Sequence, residues 1–265
     1  MKKLSVLIST LLIASIGLVG CSTKSSSNVT PKNLLSAIKS EGKIRIGTEG
    51  TYAPYTFHDK DGKLTGFDVE IAEEVAKRIG AKPEFIETKW DGIFAGLDAK
   101  RFDMIVSEVG IKPDREEKYD FSDPYIVSKA VLIVNSEDNS ITKFEDLKGK
   151  KSAQSLTSNL AKIAEDNGAV IQQIDGFNQA IDLLLSHRVD ATVNDSLSFL
   201  DLKKQKPDLA IKVVDEEHNA QPSAIMFNKG NKELVDATNK ALADMKADGT
   251  YAKISDKWFA ADVSK

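Results

Sequence analysis

The sequence predicts an α/β fold in two successive units, each a mostly parallel sheet flanked by helices. Strand-like and helix-like segments alternate from residue 43 almost to the C-terminus, the signature of strand–helix–strand units. The rhythm restarts after Lys129 with the β-branched run 130–134. A hydrophobic fraction of 41% over 265 residues is enough to fill two cores.

In the first unit, residues 31–40 carry Leu34, Leu35 and Ile38 at helical spacing, and Gly42 stops them. Residues 43–47 alternate as a strand. Over 67–79, Ile71, Val75 and Ile79 share one helical face; Glu73–Lys77 and Glu74–Arg78 stand four apart on the other, and Gly80 ends the helix. A strand is expected over 83–87, a helix over 90–100 and a strand over 103–106. In the second unit the expected order is strand 151–155, helix 158–167, strand 169–174, helix 177–186, strand 189–193 and helix 195–204. Strands 211–214 and 221–227, a helix over 232–248 and a short amphipathic segment with Tyr251, Ile254, Trp258 and Phe259 complete the chain.

Residues 1–20 read as an export signal: Lys2 and Lys3, an apolar run from 4 to 19, then a small residue. The run is shorter than the roughly 20 residues that span a bilayer. Leu18-Val19-Gly20-Cys21 resembles the bacterial lipobox, in which the signal is cut before a cysteine that is then acylated. Cys21 is the chain's one cysteine, so neither an internal disulfide nor a cysteine metal site is available. The Ser-rich stretch 22–28 reads as a flexible tether. Loss of Lys2 and Lys3 with the signal takes the formal charge from −4 to −6, which disfavours nucleic acid as a partner. The three histidines, His58, His187 and His218, form no triad or metal spacing, and no cofactor is expected.

In sheets of this kind ligands sit beyond the carboxyl ends of strands, and three such places are polar. After 103–106 comes Ser107-Glu108-Val-Gly110-Ile-Lys-Pro113-Asp-Arg115. Gly110 permits close backbone approach, Pro113 suits a first helical turn, and Arg115 falls near that turn with a fork that fits a carboxylate. A solvated surface arginine fits the same spacing. Gln154-Ser-Leu-Thr-Ser158-Asn159 leads into a helix; Ser158 and Asn159 read as N-caps or as part of a carboxylate cradle. Asp195 closes a strand and opens a helix, either as an N-cap or as the partner of a substrate ammonium.

The chain resembles the bacterial family 3 extracellular solute-binding proteins, which serve polar amino-acid ABC transporters. The matching stretches run from about residue 43 to 263. They include Ile44-Arg-Ile-Gly-Thr-Glu-Gly-Thr-Tyr-Ala-Pro-Tyr55, Gly66-Phe-Asp-Val-Glu70, Trp90-Asp-Gly92, Lys118-Tyr-Asp-Phe-Ser-Asp-Pro-Tyr125, Arg188-Val-Asp190 and Asp248-Gly-Thr-Tyr-Ala-Lys-Ile254. Within the family Thr48-Glu-Gly-Thr-Tyr-Ala-Pro54, Ala95-Gly-Leu-Asp-Ala-Lys-Arg-Phe102 and Ser152-Ala-Gln-Ser-Leu-Thr-Ser-Asn159 are most similar to the cystine-binding branch. Ser107-Glu108 departs from it, since that branch usually carries Asn-Gln there.

The resemblance implies a type II periplasmic-binding fold. One lobe would comprise 41–128 plus 221–265 and the other 133–217, with two crossing segments as hinge, after a signal at 1–20 and a leading stretch at 21–40. It implies that Arg115, with Gly110, Ser158 and Asn159, holds a ligand α-carboxylate, and that Asp195 takes the α-ammonium. Tyr52 and Trp90 would enclose the aliphatic part, Glu49 would point at the ligand side chain, and Ser107 and Glu108 would line the pocket edge. The implied role is delivery of a zwitterionic amino acid, L-cystine or another polar or cationic one, to permease and ATPase subunits. The protein would be a monomer, extracytoplasmic and anchored to the cell membrane by the lipid on Cys21, at the outer face of the membrane or in the periplasm. Two other classes share the fold or the signal: a dehydratase, for which no catalytic constellation is visible, and a ligand-sensing ectodomain, for which no signalling domain or second membrane segment is read.

Overall fold

The computed structural model describes residues 33–265. The export signal at 1–20, Cys21 and the tether at 22–28 lie outside the described residues. No described helix is long and apolar enough to cross a membrane.

The chain opens with α1 (Leu34–Glu41) and β1 (Lys43–Thr48). The small hairpin β2 (Phe57–His58) and β3 (Leu64–Thr65) precedes α2 (Phe67–Ile79), β4 (Lys82–Glu87), α3 (Trp90–Asp98) and β5 (Met104–Ile105). The single-turn α4 (Pro113–Glu116), β6 (Tyr119–Phe121) and β7 (Ile126–Ser128) follow. The second unit contains β8 (Ala130–Asn135), β9 (Lys151–Gln154), α5 (Asn159–Asp166), β10 (Val170–Gln173), α6 (Phe177–Leu185), β11 (Ala191–Asp195), α7 (Ser196–Gln205) and β12 (Ile211–Glu216). The chain then returns through β13 (Gln221–Ser223) to β14 (Met226–Asn228), α8 (Lys232–Ala247) and α9 (Thr250–Phe259).

The elements build two five-stranded sheets, ordered β4-β1-β5-β14-β6 and β10-β9-β11-β8-β12. In each, four strands share a direction and one opposes its neighbours: β14 in the first sheet and β8 in the second. These reversed strands follow the two segments that cross between the lobes, β7 and β13, which pair antiparallel. A strand fed directly by a crossing starts at the interlobe side, whereas strands fed by helices end there.

Each sheet is covered on both faces. Ile44 and Ile46 of β1 pack with Phe67, Ile71 and Val75 of α2, Leu242 and Met245 of α8 and Tyr251 of α9. On the opposite face Ile93 and Leu97 of α3 meet Phe102, Ile105 and Met226. In the second lobe β8 is buried throughout. Val131 and Ile133 face Ile181 and Leu184 of α6, while Leu132 and Val134 face Phe144, Leu147 and Ala164. The two-residue alternation of a strand thus feeds two half-cores, which is why this segment reads as a continuous apolar run.

Two expectations are corrected. Residues 221–227 form two strands, because the chain leaves β7 after Ser223 and joins the first sheet at Met226. On α2, Lys77 reaches Glu74 at 2.9 Å, three residues away, instead of Glu73, because Glu74 also binds Arg78 Nε at 2.9 Å and gathers both cations.

Candidate functional site

Eight of the ten candidate residues line one cleft of about 760 Å³ between the two sheets: Glu49, Tyr52, Trp90, Ser107, Glu108, Ser158, Asn159 and Asp195. They arrive from the segments that follow β1, β4, β5 and β9 and from the last residue of β11, the side where strands of one direction end. Gly110 and Arg115 stand immediately behind this wall. A Cβ on Gly110 would lie 3.6 Å from Asn159 Nδ2 and 3.8 Å from Arg115 Nη1.

Arg115 is 6% exposed. Its Nη1 donates to the Gly110 carbonyl at 2.9 Å and its Nη2 to the Thr157 carbonyl at 3.0 Å, so the guanidinium joins the β5–α4 loop to the β9–α5 loop. The guanidinium stacks over the rings of Phe94 and Trp90, 5.0 and 5.7 Å from their centroids. Burial pushes its pKa down to about 10, and no ion pair among the described residues engages it. Beside it, Ser158 caps α5 by accepting from Ala161 N at 2.9 Å, and Asn159 Nδ2 donates to Gln221 Oε1 at 2.8 Å. Trp90 lies within the α3 core yet borders the cleft, and its Nε1 is buried without a partner.

Asp195 anchors the opposite wall as N-cap of α7, accepting from the amides of Leu197 and Ser198 at 2.9 and 3.2 Å. It also accepts from Tyr55 Oη at 2.5 Å across the cleft and from Ser128 Oγ. Both readings of this residue therefore meet in one geometry: it caps a helix and keeps a carboxylate at the cleft. Burial raises its pKa, opposed by those hydrogen bonds.

Tyr52 spans the lobes, donating to Asn194 Oδ1 at 2.8 Å and leaning edge-on to Phe177 with centroids 6.5 Å apart. Glu49 accepts from Thr51 Oγ1 at 3.3 Å, and burial lifts its pKa to about 7. Its backbone amide donates to Ser107 Oγ at 3.2 Å. Glu108 has a left-handed backbone, φ 52°, its amide donates to Asp68 Oδ2 at 2.8 Å, and its Oε1 is buried without a partner.

The site also uses residues that the sequence reading left unassigned. Tyr55 and Ser128 hold Asp195, Phe177 and Gln154 line the cleft, and Lys129 borders it while paired with Glu216 at 2.7 Å. Tyr55 stands in a stretch that matched the family, but nothing in its local spacing marks it as the partner of Asp195.

The comparisons agree with this arrangement. The model of the bacterial extracellular solute-binding proteins, family 3, matches residues 44–261. The chain is 47% identical to the L-cystine-binding protein TcyA of Bacillus subtilis (strain 168), with 100% of each covered. Among solved structures, an ancestral arginine-binding protein bound to arginine is 41% identical with a TM-score of 0.78, covering 82% of this chain and 98% of that one. The L-cystine solute receptor of Neisseria gonorrhoeae in its unliganded open conformation is 44% identical with a TM-score of 0.59, covering 88% and 99%. The relative with the higher identity fits the coordinates less well, and it is the open one, in keeping with the cross-cleft bonds of Tyr52 and Tyr55. Sequence, topology and cleft together make the chain a member of the bacterial extracellular solute-binding proteins of family 3, binding proteins and not enzymes.

Proposed function

We propose that the bound solute is a zwitterionic amino acid, with L-cystine as the cargo, passed from this protein to the permease and ATPase of an ABC importer. One observation carries the reading. A buried guanidinium without a carboxylate partner, Arg115, stands behind one wall of the cleft, and a buried carboxylate, Asp195, stands in the other. Isolated buried charges cost several kcal/mol unless compensated. A dipolar guest compensates both at once, and only when the lobes are together, so it favours the closed form by its differential affinity.

In this assignment the α-carboxylate meets Arg115, Gly110 and the start of α5 at Ser158 and Asn159, and the α-ammonium meets Asp195. Tyr52 and Trp90 enclose the aliphatic part, Ser107 and Glu108 flank it, and Glu49 points at the far end. The β7–β13 pair is the hinge between lobes at 41–128 plus 221–265 and 133–217. The lipid on Cys21 holds the monomer at the outer face of the membrane. Cystine as cargo is supported by the names of the relatives of 47% and 44% identity. A cationic amino acid is the second reading, favoured by the three carboxyl groups of Glu49, Glu108 and Asp195 and by the arginine-bound neighbour. A thermal-shift screen of the protein against the amino acids and cystine tests the assignment. Cystine is expected to give the largest rise in melting temperature; a screen in which no amino acid raises it overturns the reading.

A further inference from the structure

Glu108 and Asp195 line the cleft, and a third carboxyl, Asp68, lies buried behind Glu108. Asp68, in the first turn of α2, is fully buried. Its Oδ1 accepts from Tyr125 Oη at 2.8 Å and its Oδ2 from the amide of Glu108. That second bond helps fix Glu108 in its left-handed backbone, a conformation uncommon for any residue but glycine, asparagine or aspartate. The side chain so aimed leaves Oε1 buried and unpartnered.

The titratable groups facing this carboxyl are acidic or neutral on every side: Asp68 from α2, Asp195 from β11, Tyr125 from the approach to β7, Tyr52 and Tyr55 from the segment after β1, and Tyr251 from α9. The two cations of the surrounding walls are engaged elsewhere, Lys129 with Glu216 and Arg115 with the carbonyls of Gly110 and Thr157. Three carboxyl groups in one buried region, with no cation among the described residues to balance them, cannot all ionise.

Resting on the amino-acid reading, we propose that Asp68 and Glu108 retain a proton until a ligand arrives, and that an ammonium seated against Glu108 and Asp195 displaces it to solvent. The step breaks one carboxyl O–H bond and hands the proton to a buffer base; no other bond changes. Burial, then Asp68, then Asp195 push the Glu108 carboxyl well above the usual range, and burial lifts Asp68 to about 7. Glu108 is thereby a specificity residue for a free ammonium, and uptake is coupled to external pH.

Calorimetric titration of the protein with L-cystine and with L-arginine, in phosphate and in Tris at pH 7, tests the idea. The expected result is a binding heat that differs between buffers by up to about one released proton per ligand, with affinity rising up to about tenfold per pH unit from 6 to 8. Glu108→Gln, a neutral isostere, is expected to bind more weakly and to lose that buffer dependence. Binding with the same heat in both buffers overturns this proposal alone, and so does undiminished proton release from Glu108→Gln. The wild-type buffer comparison stands whether or not that variant folds. Binding of neither amino acid overturns the amino-acid reading and this proposal with it.

Discussion

The carboxylate of Asp91, in the first turn of α3, accepts both the amide and the hydroxyl of Thr157 in the other lobe, each at 3.0 Å. Leu156 N at 3.3 Å and Gln173 Nε2 at 3.1 Å join the same group, and Lys89 pairs with Asp175 at 2.6 Å beside it. Arg115 grips the same loop through the Thr157 carbonyl. The loop that starts α5 is thus held to the first lobe by protein contacts as well as by any ligand. Asp91→Ala is expected to leave the fold intact, expand the protein in small-angle scattering and raise the ligand off-rate. These are solvent-exposed, charge-assisted bonds, so the affinity loss is about 1 kcal/mol, or roughly fivefold. An unchanged off-rate contradicts the latch.

Arg115→Ala and Asp195→Asn separate binding from folding. Asparagine caps helices as well as aspartate does, so Asp195→Asn keeps the α7 cap and the bond from Tyr55 while removing the charge and the acceptor of Ser128. Arg115→Ala loses the bonds to the Gly110 and Thr157 carbonyls and the stacking on Phe94 and Trp90, but also relieves the burial of a cation with no anionic partner, so the net loss of stability should be modest. Both are expected to melt within a few degrees of wild type and to lose at least ~100-fold in amino-acid affinity, about 3 kcal/mol. Tight binding retained by either variant in calorimetry refutes the assigned role.

How much of this was legible depends on whether the deciding partner was local. The helix over 67–79 was read to the residue, because its apolar face and Gly80 are local signals. Residues 221–227 run without a break into the apolar stretch 224–227 and so read as one strand, yet the chain changes sheets within them, and only distant partners decide that. Tyr119–Phe121 and Ile126–Ser128 are three-residue strands, too short to show a period. In the site, Arg115 and Asp195 were reached through their places beyond strand ends and through the family pattern. Tyr55, 140 positions from Asp195, was not, because a tyrosine that hydrogen-bonds across a cleft reads like one in a core. Asp68 carries no local signal of its place, because an acidic residue in the first turn of a helix is equally accounted for by the helix dipole.

Gly66 ties the fold to the site. It adopts φ 136°, and a Cβ there would stand 2.1 Å from the Tyr55 carbonyl oxygen. The amides of Phe67 and Asp68 donate to the carbonyls of Pro54 and Tyr55, each at 2.9 Å. The start of α2 is thereby clamped to the segment that carries Tyr55 to Asp195. Gly66→Ala is expected to destabilise by about 3 kcal/mol, a fall of roughly 10 °C in melting temperature, through both clash and backbone strain. A melting temperature within 2 °C of wild type would show that the clamp yields easily.

The buried carboxyls fix the direction in which stability varies with pH. Asp68 and Glu49 rise from ordinary values of 3.8 and 4.5 to about 7, both chiefly through burial. The folded chain therefore holds protons that the unfolded chain has released, and this contribution is full below about pH 4 and lost as pH rises through 7. The opposite group, Asp248, is lowered to about 2 by Thr250 and then Arg78, but it is fully exposed and acts only in strong acid. Without ligand, the melting temperature is expected to fall steadily from pH 5 to pH 8. A saturating amino acid should recover most of that loss, because its ammonium compensates the carboxylates that ionise. A ligand-free melting temperature that rises over this interval would mean that these carboxyls are already ionised and balanced by the protein itself, and the charge argument for an ammonium-bearing guest would lose its footing.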